Sequence, residues 1–177
     1  HIRFVDLPAQ FAEIKEEVDE AYKNVMESCR FCGGPKLEAF EKDFGSFCQA
    51  NWCIGVSSGT EALRIALLSH GVGPGDEVIT VPNTFFATAA AISAAGAKPV
   101  FVPLDEKTLL MDLSKVEEKI SHKTKAIIPV HLFGAMVDIE ELAKIAKKHN
   151  LPIIEDCAQA HGATINGKVA GSHGNTC

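Results

Sequence analysis

The apolar positions of the chain change rhythm near Trp52. Before it, Phe11, Ile14, Val18, Tyr22 and Val25 recur three or four residues apart within Gln10–Met26, with glutamates and lysines between them, which predicts an amphipathic helix. After a loop at Gly33-Gly34, Pro35 suits the first turn of a second helix, where Leu37, Phe40, Phe44 and Phe47 form another one-sided stripe. Large aromatic residues in such a stripe usually belong to a core.

Beyond Trp52, short apolar runs alternate with helical segments. Strands are predicted at Cys53–Val56, Glu77–Val81, Pro99–Pro103, Lys125–Val130 and Pro152–Glu155, short and β-branched as buried parallel strands are. Helices are predicted at Thr60–Ser69, Thr84–Ala95, Leu113–Ile120 and Asp138–His149, the last opening with the capping box Asp138-x-x-Glu141. This alternation is the grammar of an α/β doubly wound sheet with helices on both faces. Gly73-Pro74-Gly75-Asp76 reads as a turn, and Ile165-Asn166-Gly167-Lys168 as a hairpin tip, because Asn-Gly favours the type I′ turn. No internal repeat or low-complexity tract interrupts the pattern. The expected organisation is an N-terminal helical segment, residues 1–50, followed by a partial large domain, residues 51–177.

Composition narrows the functional classes. Of 177 residues, 46% are hydrophobic and 23% charged, enough for one real core; the net charge of -6, with 17 Lys and Arg scattered along helices, gives no concentrated footprint for nucleic acid or anionic membrane. Small-molecule chemistry is the expectation. The longest apolar stretches, such as Ala87–Ala97, are interrupted and fall short of the ~20 residues needed to cross a bilayer. The opening His1-Ile2-Arg3-Phe4-Val5-Asp6 does not read as a secretory signal, so a cytoplasmic location is expected.

Cys29-Arg30-Phe31-Cys32 has metal-site or redox spacing, and Cys48 and Cys53 are conceivable further ligands. Their four intervening residues cross a helix-to-strand join, however, unlike a second tight knuckle. Reduced, mostly packed thiols and no metal are expected.

Ligands of open α/β sheets bind at the carboxyl ends of the strands. The first such end is Val56-Ser57-Ser58-Gly59-Thr60-Glu61-Ala62-Leu63, where a strand passes through small residues into a helix and leaves the N–H groups of Gly59, Thr60 and Glu61 free for a phosphate. The bland alternative is a Ser/Thr N-cap with a glycine for turn geometry. A Walker loop is absent, and Gly71-Val72-Gly73-Pro74-Gly75 lies in a helix-to-strand turn at the wrong edge for a dinucleotide.

The last strand delivers Glu155-Asp156-Cys157-Ala158-Gln159-Ala160-His161-Gly162. A carboxylate at a buried strand end needs a cationic or hydrogen-bonding partner, and a cofactor's pyridinium nitrogen is a good one for Asp156, with Gln159 reaching the ring's phenolic oxygen. The alternative is an aspartate capping the next turn. In Pro82-Asn83-Thr84-Phe85-Phe86-Ala87-Thr88, one aromatic is expected in the core and the other, Phe85 by preference, over a planar cofactor. His131, at a fourth strand end, is more often a satisfied structural residue than a ligand.

Taken together, Ser58-Gly59-Thr60-Glu61-Ala62-Leu63, Gly73-Pro74-Gly75-Asp76-Glu77-Val78-Ile79, Thr84-Phe85-Phe86-Ala87-Thr88, Pro129-Val130-His131-Leu132-Phe133-Gly134 and Glu155-Asp156-Cys157-Ala158-Gln159-Ala160-His161-Gly162-Ala163 resemble the DegT/DnrJ/EryC1/StrS family of pyridoxal 5'-phosphate (PLP)-dependent sugar aminotransferases, collinearly from about Phe4 to Cys177. The resemblance implies a type I aminotransferase-like large domain and cofactor binding by Gly59, Thr60, Glu61, Phe85, Asp156, Ala158 and Gln159, with Ala158 against the ring face. It also implies an obligate dimer with its active site at the subunit interface, and transfer from glutamate or glutamine to a keto group on a nucleotide-linked sugar. Cys157 stands where the family usually has alanine.

The family's Ser-Phe-x-x-x-Lys segment, with the Schiff-base lysine, follows a Gly171-Ser172-x-Gly174 turn, and this chain ends at Cys177. Lys168 and Lys125 are expected away from the cofactor edge. The chain is therefore expected to be an N-terminal fragment, truncated before the small domain and inactive by itself. A sugar dehydratase of the same family, with histidine for the lysine, and a non-catalytic binding or regulatory module are the alternatives; a nicotinamide-dependent oxidoreductase lacks its glycine fingerprint.

Overall fold

Asp6 accepts a hydrogen bond from the Ala9 N–H at 3.3 Å and Pro8 lies in the first turn, so the first helix, α1, runs from Leu7 to Ser28. A computed structural model describes residues 5–177; the opening His1–Phe4, where the reading of the secretory signal and of the family match begins, lies outside the described residues. Contacts divide the chain into two units, His1–Phe40 and Glu41–Cys177, the division falling within the second helix, α2 (Pro35–Phe47). In the first unit α1 has its amphipathic stripe but no buried residue: Phe11, Ile14, Val18 and Tyr22 are all exposed.

The aromatic stripe of α2 is not core either, contrary to expectation. Its buried residue is Gly45, where a side chain would stand 3.3 Å from the Cys53 Cβ. The helix docks through the glycine while its larger residues flank the contact: Phe47 stays exposed, and Phe44 tilts against His161 with ring centroids 5.8 Å apart.

The second unit is the α/β body. Helix α3 (Gly59–Ser69) precedes β1 (Glu77–Thr80), α4 (Phe86–Ala94), β2 (Lys98–Phe101), β3 (Thr124–Ile127) and α5 (Ile139–Lys148), and a short antiparallel pair, β4 (Thr164–Ile165) and β5 (Lys168–Val169), follows. The three-stranded sheet has the order β2-β1-β3, all parallel, and Ile153, Ile154 and Asp156 extend it beyond β3 through single bridges to Ile127, Thr176 and Val130. Alternation along the strands divides the core between the two faces. Val78, Ala126, Ile128 and Ile154 pack with α3 and α4, whereas Ile79, Ile127 and Ile153 pack with Val137, Ile139, Leu142 and Ala146 around α5.

Local chemistry explains the boundaries. The Asp138 side chain accepts from the Glu141 N–H at 3.0 Å, the predicted cap, but the Glu141 carboxylate turns to Lys144 at 2.7 Å, so the box is half formed. Asn166 at φ 52° and Gly167 at φ 79° make the expected hairpin tip, and Gly75 at φ 94° closes the 73–76 turn. Three element predictions fail, the first being Pro152–Glu155, which makes single bridges and no strand ladder. Cys53–Val56 is not a strand: no strand among the described residues pairs with it, Trp52 and Ile54 are exposed, and the Gly55 N–H donates to Glu41 Oε1 at 2.7 Å. Leu113–Ile120 forms two 3-10 turns, Leu113–Lys115 and Glu117–Lys119, because Asp112 Oδ1 takes the Ser114 N–H and hydroxyl and tightens the first turn. No helix among the described residues is long and apolar enough to cross a membrane.

Candidate cofactor pocket

The parallel strands end at one edge of the sheet, and their loops meet the N-terminus of α3 there. A cavity of about 240 Å³ is lined by Gly59, Thr60 and Leu63 of α3, by Thr84, Phe85 and Ala87 at the start of α4, and by Val130, Asp156, Ala158 and Gln159. Of the seven residues expected to hold a cofactor, all but Glu61 line it.

Ser58 caps α3, its hydroxyl accepting from the Glu61 N–H at 3.2 Å. That bond occupies one of the amides expected to face a phosphate, while the N–H groups of Gly59 and Thr60, in the first turn, have no intrahelical acceptor. Nothing lies within 4 Å of where a Gly59 side chain would stand. The Glu61 side chain is drawn instead to Arg64, whose hydrogen bond and charge hold the carboxyl below its ordinary range.

Phe85 precedes α4 in extended conformation without a side-chain cap. Phe85 is 73% exposed and Phe86 77%, so neither is the core residue expected of the pair; α4 buries Thr88, Ala91 and Ile92 instead.

Asp156 is buried. Its Oδ2 accepts from the Thr88 hydroxyl at 2.8 Å, and Thr88 Oγ1 lies 2.8 Å from Thr84 Oγ1, making a hydroxyl chain from the pocket wall to the carboxylate. Among the described residues, Oδ1 receives only the long Ala158 N–H bond at 3.3 Å. The reading from sequence missed Thr88, although Thr84 and Thr88 stand at the i, i+4 spacing that places hydroxyls on one helix face. The Gln159 Oε1 accepts from the Phe133 N–H at 3.1 Å, which turns the amide's two donors away from that bond.

His131 is fully buried and structural. Its Nδ1 accepts from the Val137 N–H at 3.1 Å and its Nε2 lies 2.9 Å from Glu155 Oε2. His131, Glu155 and Cys157 have donor atoms within 4.8 Å of one another, but the histidine and the carboxylate spend their donor atoms on each other and on backbone N–H groups, and burial holds the Cys157 thiol far above its ordinary range. No cysteine is in a disulfide; Cys29 and Cys32 are exposed rather than packed, and Cys48 is buried.

Lys125 lies on a separate groove of about 620 Å³ at the start of the strands, with His70, His122, Lys123, Lys147 and His149, and Lys168 Nζ is 3.7 Å from Glu140.

Comparison with known proteins places the chain in a family. The model of the DegT/DnrJ/EryC1/StrS aminotransferase family matches residues 12–177. A pleiotropic regulatory protein of Geobacillus stearothermophilus is 48% identical over 98% of the chain and 47% of its own length. The dTDP-3-amino-3,6-dideoxy-alpha-D-galactopyranose transaminase of Aneurinibacillus thermoaerophilus is 47% identical over 98% of the chain and 48% of its own. The crystal structure of S. venezuelae DesV, in complex with a ketimine intermediate, superposes with a TM-score of 0.94 at 43% identity, covering 97% of this chain and 46% of that one. The chain thus spans about half the length of the relatives it matches.

Proposed function

The chain belongs to the DegT/DnrJ/EryC1/StrS aminotransferase family, and we propose that it forms the cofactor-binding part of a PLP-dependent enzyme that transfers an amino group from glutamate or glutamine to a keto group on a nucleotide-linked sugar. The observation that carries this reading is the convergence, on one small cavity, of a helix N-terminus, an exposed aromatic and a buried carboxylate. The fit is chemical. The free amides of Gly59 and Thr60 suit a phosphate, and the open space over Gly59 lets it approach. The buried Asp156 carboxylate, with Oδ1 weakly engaged, suits a protonated ring nitrogen.

Bound there, PLP would supply an electron sink for carbanion chemistry. Asp156 would hold the proton at the ring nitrogen, with the Thr88 hydroxyl fixing the carboxylate. The donors of Gln159 would meet the phenolic oxygen, Phe85 would cover one ring face and Ala158 the other, and the first turn of α3 would anchor the phosphate. A nucleotide sugar is the substrate class named for the Aneurinibacillus relative, and a homodimer would complete the site. A reducing compartment such as the cytoplasm suits the unpaired thiols.

Calorimetric titration with pyridoxamine phosphate tests the pocket, because this form of the cofactor carries no aldehyde to react with surface lysines. Saturable one-to-one binding that Asp156→Ala weakens at least about tenfold supports the reading. Absence of binding by a folded chain, or equal binding by Asp156→Ala, contradicts it.

A further inference from the structure

Glu155, which does not line the pocket, is buried and fully hydrogen-bonded. Only 1% exposed, its carboxylate is met by donors on every side: the Gly171 N–H at 3.1 Å and His131 Nε2 at 2.9 Å on Oε2, the His173 N–H at 2.9 Å and the Gly174 N–H on Oε1. The histidine cannot change role. The Val137 N–H occupies Nδ1, so the ring proton sits on Nε2 and points at the carboxylate. Four donors around two oxygens admit only an ionised carboxylate. A protonated acid or an amide would set a hydrogen against another hydrogen whichever way it turned.

The groups so gathered lead back to the pocket. The His131 N–H donates to the Asp156 carbonyl at 3.1 Å, and two residues on, the Phe133 N–H holds Gln159. On the other side the Gly171–Gly174 turn continues into Asn175 and Thr176, which bond the backbone of Ile153 and Glu155. The turn fits closely: a side chain at Gly174 would stand 2.9 Å from the Ile153 carbonyl, and one at Gly171 2.9 Å from Cys177 Sγ.

We propose that Glu155 is a positioning residue, an ionised carboxylate buried behind the pocket that locks the Gly171–Gly174 turn and, through His131, the rim carrying Asp156 and Gln159 into one unit. The consequence for the pocket rests on the cofactor reading above; the lock itself does not.

The test is residue-resolved amide hydrogen exchange of the purified chain, with Glu155→Gln as the variant and pyridoxamine phosphate as the probe ligand. In the unmodified chain the Gly171, His173 and Gly174 amides exchange slowly, although they lie in a loop. In Glu155→Gln they exchange at least about tenfold faster while the amides of β1 and β3 keep their protection, and pyridoxamine phosphate binds at least about tenfold more weakly. A merely structural role would lower global stability without weakening binding by the folded variant, and that outcome overturns the positioning claim. Fast exchange of the three amides in the unmodified chain overturns the lock even if Glu155→Gln does not fold. Slow exchange without any binding would instead contradict the cofactor reading and leave the lock standing.

Discussion

At the residue scale, the two adjacent carboxylates of the last strand segment face opposite ways and do opposite work. Asp156 presents a weakly engaged oxygen to the pocket, whereas Glu155 has both oxygens saturated by donors. Among the described residues the Thr88 hydroxyl is the single short donor to the Asp156 carboxylate, so Thr88→Val should cost about 1–2 kcal/mol of stability in chemical denaturation and weaken pyridoxamine phosphate binding, with Thr88→Ser restoring both. For Glu155, burial raises the carboxyl's pKa, but the His131 and backbone donors outweigh it and hold the group below the ordinary glutamate range. A depressed folded value means that its contribution is fully present above the unfolded pKa of about 4.3 and is lost as pH falls through the folded one. The stability gap between the chain and Glu155→Gln should therefore be about 2–4 kcal/mol near neutrality and close below about pH 4, with His131, His173, Asp156, Cys157 and Cys177 the titratable groups around it. A gap that does not change with pH would show that the charge is not what matters. The burial of Asp156 was legible in the sequence because it ends an apolar run before small residues. Glu155 was not, because its donors come from a turn sixteen to nineteen residues away.

At the element scale, the parts with local chemistry could be read and the parts that depend on a distant partner could not. Caps at Ser58 and Asp138, the Asn166-Gly167 tip and the turn at Gly75 all act within a few residues, and each is present. The Cys53–Val56 run has strand-like composition, but strands exist only in pairs, and the alternation carries no record of a neighbour. The α2 stripe has helical spacing without burial, because spacing says which residues share a face and not what meets it. The same logic gives a test of α3. Ser58→Ala removes the side-chain cap and should cost about 1 kcal/mol, while freeing the Glu61 N–H for an anion. Thermal unfolding should show the loss, and it should shrink when pyridoxamine phosphate is present. Phe133 is exposed and held at φ 53°, ψ 31°, a conformation that costs a non-glycine residue about 1 kcal/mol. Phe133→Gly should thus be neutral or stabilising in denaturation unless its ring has a ligand to cover.

At the scale of the whole molecule, the second unit supplies its own two-faced core, with Leu67, Ile92 and Ile154 on one side of the sheet and Ile127, Ile139 and Leu142 on the other, all essentially inaccessible. Truncating any of them, Leu142→Ala for instance, should cost about 2–5 kcal/mol. The cofactor account requires that this body hold the pocket in the half-length chain spanned here. Two-dimensional amide NMR of the chain titrated with pyridoxamine phosphate tests this most directly. The account predicts that the amides of Gly59, Thr60, Ala158 and Gln159 shift together and saturate in one transition, with the groove around His122 and Lys125 unmoved. Shifts confined to that groove, or spread over the surface without saturation, would contradict it.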